Sequence, residues 1–358
     1  MEEVKVNVMM FGGKRCGKTS VIAAMKDCFG EVFKQDLSIF SSDATSPILE
    51  DKLNEIKDSF NLVDKGRTFS EDTADYSGTS EINEYNISIQ LKKLQKGKSL
   101  INLNFIDYPG EWIKNNRGDI SEIMKKSRII MITIDTPFLM EQTRDNKNDS
   151  VGRYNNKRNF CDAIAEMLQK SFSSDVNDQT FPIMIMFVPL KCEKYYNAGK
   201  MNLVNEKIHA AYKKVFDFVS GEYRKKFEVA ITPILSFGPK GIEFSRFETD
   251  ENGEIKENAA GIPANPIYIF KAPKKEDNKY SPLYCEQPIL YSLAYLLSVA
   301  EKAKKEEPWF VCFFTEFFGG AASLYDFMEQ KKKIIRNLKI EGEGFEIFQD
   351  PLGFKEQK

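Results

Sequence analysis

The chain has 358 residues, 42% of them hydrophobic, so it can bury a full core; that length is large for one minimal α/β domain and small for three. Lys and Arg number 51 against 53 Asp and Glu, a balance that argues against nucleic acid as the main partner, because phosphate backbones select basic faces. The single histidine, His209, excludes histidine-rich metal sites; no apolar run reaches the ~18 residues of a membrane span, and no signal-peptide pattern opens the chain.

Val4 to Phe11 reads as a short buried strand that ends at glycines. The next stretch, Gly12-Gly13-Lys14-Arg15-Cys16-Gly17-Lys18-Thr19, fits G-x-x-x-x-G-K-[ST]. Such a loop points successive backbone N–H groups into one concavity at a helix N-terminus, where phosphates bind. Residues 12 to 20, through Ser20, are therefore the expected phosphate cradle, with Lys18 reaching the β and γ phosphates and Thr19 offering its hydroxyl to Mg2+. Val21, Ile22, Met25, Cys28 and Phe29 recur at helical spacing, and Gly30 is the expected stop. Cysteines occur at 16, 28, 161, 192, 285 and 312, none in a C-x-x-C pair, which suits free thiols in a reducing, cytoplasmic compartment.

Residues 31 to 82 are polar and irregular, with one helix expected near Ile48 to Phe60. Tyr85, Ile87, Ile89 and Leu91, then Ile101, Leu103 and Phe105, alternate with polar residues around "KKLQKGKS", the pattern of an antiparallel hairpin. "RIIMITI" and "IMIMFV" are continuous apolar runs, as in parallel strands covered on both faces. Helices are expected around Phe160 to Leu168 and Leu203 to Tyr223. Val229 to Leu235 contains Pro233 and is expected to be an edge strand. Residues 239 to 282 read as an insertion with a hairpin, "EQPILYSLAYLLSVAEKA" as a closing helix, and the remainder from Pro308 as further helix broken near Gly319-Gly320. The expected organisation is a P-loop domain over 1 to 305, with insertions at about 31 to 82 and 239 to 282, and a C-terminal helical extension over 306 to 358.

The second hairpin strand runs into Asp107-Tyr108-Pro109-Gly110. An acidic residue at a strand end beside a phosphate loop can hold Mg2+ through water, and the glycine N–H of D-x-x-G can sense a γ-phosphate. A hairpin strand followed by D-x-x-G is the arrangement of GTPases rather than of kinases. Such sites also use a threonine ahead of the hairpin; Thr79 is the candidate, with Thr68 and Thr73 as competitors. Base recognition is expected in "VPLKCEKY", where Lys191 and Glu193 occupy the Lys and Asp slots of [NT]-K-x-D and Leu190 departs from it. In "LSFGPKG" a backbone N–H of Ser236 or Phe237 could meet the base oxygen. Glu111 stands where many small GTPases place a glutamine that orients water. Arg15 could stabilise phosphate charge or face solvent, and Trp112 could anchor a mobile loop or belong to the core.

"GGKRCGKT" together with "IDYPGEW" resembles the YcjX-like branch of TRAFAC P-loop GTPases, including the bacterial double-GTPase relatives of conflict and defence systems. The resemblance covers roughly residues 4 to 305. It implies an α/β, Ras-like three-layer fold with sheet order 2-3-1-4-5-6, GTP or GDP with Mg2+ as ligands, and site roles for Gly12, Gly17, Lys18, Thr19, Asp107, Gly110, Lys191 and Glu193. The expected function is a nucleotide-driven switch with slow intrinsic hydrolysis, stimulated by a protein partner (another GTPase or an effector subunit) or by pairing of copies. Lys18, Gly110, Glu111 and Arg15 are the candidate catalytic groups. The alternative is a non-catalytic nucleotide-binding module with the 239 to 282 insertion and the aromatic stripe "WFVCFFTEFF" as candidate surfaces, although an aromatic stripe at helical spacing is more often core than interface. A small-molecule kinase is opposed by the D-x-x-G hairpin and by the lack of an evident lid arginine cluster.

Overall fold

The computed structural model describes residues 4–13, 15–33, 37–60, 68–70, 81–91, 101–115, 117–141, 153–173, 181–270, 279–303 and 324–358. Its strands are β1 (Val4–Phe11), β2 (Leu37–Ser41), β3 (Thr68–Ser70), β4 (Asn83–Leu91), β5 (Ile101–Asp107), β6 (Ile129–Asp135), β7 (Ile183–Leu190), β8 (Phe227–Ile231), β9 (Ile242–Phe247), β10 (Pro266–Phe270), β11 (Glu341–Gly342) and β12 (Phe345–Gln349). The helices up to residue 303 are α1 (Lys18–Val32), α2 (Thr45–Ser59), α3 (Trp112–Asn115), α4 (Arg117–Lys126), α5 (Thr136–Met140), α6 (Arg153–Asn159), α7 (Cys161–Phe172), α8 (Glu193–Asn197), α9 (Met201–Ala211), α10 (Lys213–Ser220) and α11 (Gln287–Lys302).

Nine strands form one sheet in the order β11-β12-β8-β7-β6-β1-β5-β4-β2. The run β4-β5-β1-β6-β7-β8 inside it is the expected 2-3-1-4-5-6 order. Pairings β1–β5, β1–β6, β6–β7 and β7–β8 are parallel, and β4–β5 is the antiparallel hairpin. Every residue of β6 and β7 is buried, because helices cover both faces. Strand β1 shows the three layers most simply. Val6, Val8 and Met10 join the core under α1 and α11, whereas Met9 and Phe11 point into the opposite core under α4, α7, α9 and α10. The α/β fold is thus the expected one.

Four details differ from the sequence reading. Gly30 does not stop α1, which runs to Val32; a Cβ at Gly30 would lie 3.3 Å from Ile39 Cγ2, so glycine lets β2 approach the helix. The single helix over 203 to 223 is two, α9 and α10, hinged at Tyr212. Strand β8 is not an edge: β12 pairs antiparallel with it, and the ladder ends before Pro233, whose missing N–H therefore costs no pairing. The C-terminal segment is helical over Leu324–Asn337 and Phe354–Gln357 but also contributes β11 and β12 to the sheet. Residues Gly319 and Gly320 and the aromatic stripe lie outside the described residues.

The two segments expected as insertions meet through their described strands. Strand β3 of the first pairs antiparallel with β10 of the second, and β10 with β9, in a three-stranded sheet. Phe138, Phe244, Phe247, Ile262, Tyr268 and Phe270 give it a separate small core.

The C-terminal strand is clasped through Glu228 of β8, which is fully buried. Its Oε2 accepts the Leu352 N–H at 3.1 Å, while Asp350 accepts the N–H groups of Phe354 and Lys355 at 2.7 and 2.8 Å. Burial, then the nearby Asp350 charge, pushes the Glu228 carboxyl well above its usual 4.5. A folded-state value raised in this way gives stability that is complete below about 4.5 and is lost as pH rises through the folded value. Glu228→Gln is expected to remove that slope. Relative to it, the parent loses about 1.4 kcal/mol per pH unit inside the window, read from thermal unfolding between pH 5 and 9; parallel curves for the two proteins would contradict the assignment.

Candidate nucleotide-binding site

The loop between β1 and α1 is shaped by close approaches that only glycine permits. A Cβ at Gly12 would lie 2.0 Å from Thr133 Oγ1, and one at Gly13 would lie 2.6 Å from the Arg158 carbonyl oxygen. Gly17 caps α1 at φ +101 and Arg15 turns at φ +56, both in the left-handed region. Thr133 of β6 donates to the Phe11 carbonyl at 2.9 Å, and the Cys16 thiol sits 3.1 Å from the same hydroxyl. Gly12→Ala is therefore expected to destabilise the protein by about 1–3 kcal/mol, as overpacking does, and to lower nucleotide affinity with it. Thermal unfolding with and without nucleotide checks both; an unchanged midpoint would show that the loop has room to give.

Lys18 folds back into the loop. Its buried ammonium donates to the Gly12 and Gly13 carbonyls at 3.3 and 3.4 Å, and lies 3.4 Å from Asp107 Oδ1. It also sits 5.8 Å above the Tyr108 ring, which is fully buried edge-on to Phe11. Thr19 Oγ1 donates to Asp107 Oδ2 at 2.7 Å. Thus the D-x-x-G turn lies directly against the phosphate loop, because β5 pairs with β1 in the register Met10↔Asp107. Gly110 is buried and Glu111 exposed; Trp112 is half-buried against the core and opens α3, its N–H bonded to the Pro109 carbonyl at 2.9 Å.

Arg15, Gly110 and Glu111 line one cleft of about 390 Å3 with Phe138, Arg158 and residues between Asn258 and Pro266. At the far side of the sheet end, Lys191 follows β7 at φ +56 and Glu193 opens α8. Glu193 is 1% exposed, and its Oε1 accepts the Phe237 N–H at 3.1 Å. Burial pushes its carboxyl up to about 7; the backbone N–H groups at Glu193 and Phe237 oppose the shift, Glu243 adds to it, and Lys191 opposes it. Ser20 and Ser236 are half-buried. Lys14, Thr73 and Thr79 lie outside the described residues, and Thr68 lies in β3 of the small sheet.

The sequence reading missed several neighbours. Tyr85 of β4 lies near Thr19; burial first, and then the Asp107 charge, raise its hydroxyl to about 12. Asp135 ends β6 fully buried, and Arg158 and Lys191 both bond to its Oδ2. The available signal was an aspartate closing a continuous apolar strand, since in parallel sheets ligands gather at strand carboxyl ends.

A profile described as Double-GTPase 2 matches residues 7–227, more than half of the 358 residues. The chain belongs to the Double-GTPase 2 family. The double-GTPase resemblance is thereby borne out, and with it the assignment of this loop to a GTPase-type nucleotide-binding domain. This Double-GTPase 2 chain is also similar to a solved structure titled the S. cerevisiae Ski7 GTPase-like domain, bound to GDP and inorganic phosphate. Identity there is 10%, coverage is 65% of this chain and 43% of that chain, and the TM-score is 0.30. A search of curated proteins gave no match. Among the described residues, no helix is long and apolar enough to cross a membrane, and no group of three or more His, Cys, Asp or Glu side chains could hold a metal.

Proposed function

We propose that the protein binds GTP with Mg2+ and hydrolyses it to GDP and phosphate, as a switch whose turnover is slow until a partner or a second copy engages it. The carrying observation is the contact between the two loops, Thr19 Oγ1 to Asp107 Oδ2 at 2.7 Å with Lys18 beside the same carboxylate. The donor set suits Mg2+. A hydroxyl and a carboxylate are hard oxygen ligands, and Mg2+ characteristically takes one or two of these and completes its shell with water and phosphate oxygens. Thr19 and Asp107 would hold it, with Thr79 as a further candidate. When bound, the ion neutralises charge on the β and γ phosphates.

The chain's own groups do the remainder. Lys18 gives up its carbonyl partners to meet the β and γ phosphates. The N–H groups from Gly13 to Thr19, Lys14 included, and of Ser20 cradle the phosphates, and the Gly110 N–H meets the γ-phosphate. Lys191 covers the base, ionised Glu193 accepts its N–H groups, and Ser236 offers an N–H to its oxygen. A water attacks the γ-phosphorus as its bond to the β–γ bridging oxygen breaks. Glu111 can accept a proton from that water but is repelled by the phosphate, which keeps intrinsic turnover low; Arg15, in the same cleft, can offset the charge. The same exposed Glu111, in place of an amide, favours the rival reading of a nucleotide-binding interaction module. Multiple-turnover phosphate release from GTP separates them: release that stops with Lys18→Ala supports hydrolysis, and tight binding without any release selects the module.

A further inference from the structure

Asp135 joins two halves of the candidate site that lie far apart in sequence. It ends β6 and is fully buried. Its Oδ2 accepts Arg158 Nε at 3.0 Å, Arg158 Nη2 at 2.8 Å and Lys191 Nζ at 3.2 Å. Its Oδ1 is buried with no hydrogen-bond partner among the described residues. The backbone is fixed as well: the Asp135 N–H donates to Asn159 Oδ1 at 2.8 Å, and Asn159 Nδ2 donates to the Asp135 carbonyl at 3.3 Å.

The two cations on this carboxylate lead in different directions. Arg158 Nη2 also donates to the Arg15 carbonyl at 3.2 Å, at the left-handed bend of the phosphate loop, and its guanidinium lies 4.9 Å over the Phe138 ring. The Arg158 backbone oxygen is the atom that would collide with a side chain at Gly13. Lys191 belongs to the base-reading loop, two residues from Glu193, with its ammonium 5.9 Å from the Tyr268 ring centroid. A buried carboxylate shared by two cations fixes both, and removing one changes how it holds the other.

We propose that Asp135 is a positioning residue that couples base recognition to phosphate grip, through Lys191 on one side and Arg158 on the other. The proposal rests on the guanine-nucleotide reading of the site. Its consequence is that base selectivity and phosphate affinity are not set independently: disturbing Arg158 alters the preference for guanine over adenine, although Arg158 belongs to the phosphate side.

The test is a double-mutant cycle in the full chain, with Arg158→Gln and Lys191→Gln singly and together, titrated calorimetrically with GDP and with ADP. The expected result is a coupling factor of about fivefold or more in GDP affinity, and a guanine-to-adenine ratio lowered by Arg158→Gln alone. Repeating the cycle on Asp135→Asn is expected to bring the coupling below about twofold. A purely structural role would lower unfolding midpoints without producing this pattern. Effects that multiply independently in the parental background overturn the proposal, and that arm decides alone if Asp135→Asn does not fold. Equal GDP and ADP affinity in the unmutated protein defeats the guanine reading, while the coupling factor for either nucleotide still judges Asp135; binding of neither defeats both.

Discussion

Lys18→Ala is expected to lower affinity for GTP by about 100-fold or more, because on the proposed function it would remove charge-assisted hydrogen bonds to two phosphates, each worth about 1.5–3 kcal/mol. The same change strands a charge. Lys18 and Asp107 are 5% and 0% exposed at their side chains, so neither is screened as a surface ion would be. Losing one partner of a buried pair typically costs about 3–5 kcal/mol, because the other is left desolvated. Here the Thr19 hydroxyl still serves Asp107, so the lower end of that range is expected. Lys18→Ala with Asp107→Asn removes both charges and is expected to regain most of the lost unfolding free energy while recovering none of the binding. Calorimetric titration and thermal unfolding on the two variants read these separately. If the double variant bound GTP as the parent does, neither residue would belong to a phosphate site.

The second large effect concerns Glu193, whose carboxyl burial pushes up to about 7. On the proposed base site only the ionised form would accept both guanine N–H groups, so the binding-competent fraction would rise with pH. GTP affinity is expected to be about tenfold weaker at pH 6 than at pH 8 on this account, and binding at the lower pH releases a proton. The sign for folding is opposite. In the free protein the raised value gives stability that is complete below about 4.5 and lost as pH rises through about 7, so the pH that favours the ligand disfavours the empty fold. Glu193→Gln is expected to flatten the contribution of this group to both curves. It is also expected to erode guanine preference by one to two orders of magnitude, since a site built to hydrogen-bond a base edge discriminates by leaving buried groups unpaired. The measurement is GDP and ADP affinity of parent and variant across pH 6 to 8, the difference between proteins cancelling titration of the phosphates themselves. Identical pH profiles for the two would remove Glu193 from the base site.

Much of this architecture could be read before any coordinates. The phosphate loop is a local pattern of glycines, Lys18 and Thr19 whose shape follows from backbone geometry. The alternation at Tyr85, Ile87 and Ile89 against the unbroken run at Ile129 to Ile134 separates a hairpin strand from strands covered on both faces. Pairing β5 beside β1 then brings Asp107 to Thr19 almost automatically.

What escaped was carried by short or distant partners. Strand β2 has five residues, with Phe40 exposed, too few to show a period. Strand β12 is equally short and hydrogen-bonds to a strand more than a hundred residues earlier, so nothing local marked it or freed β8 from an edge assignment. Gly30 misled because a glycine after an apolar helical stretch is a common stop signal; here it stays inside α1 and serves contact with Ile39. Arg158 and Asn159 join Asp135 from 23 and 24 positions away, on a helix whose sequence "RYNNKRN" carries no apolar stripe to announce it.

The central claim is that the loop of Lys18 and Thr19 and the turn of Asp107 and Gly110 together form a guanine-nucleotide phosphate site. Its most direct test is titration of the purified chain, in the presence of Mg2+, with a non-hydrolysable GTP analogue and with the corresponding ATP analogue. The account predicts binding at least about tenfold tighter for the guanine compound, lost in Lys18→Ala; equal affinity for the two analogues, or binding of neither, would contradict it.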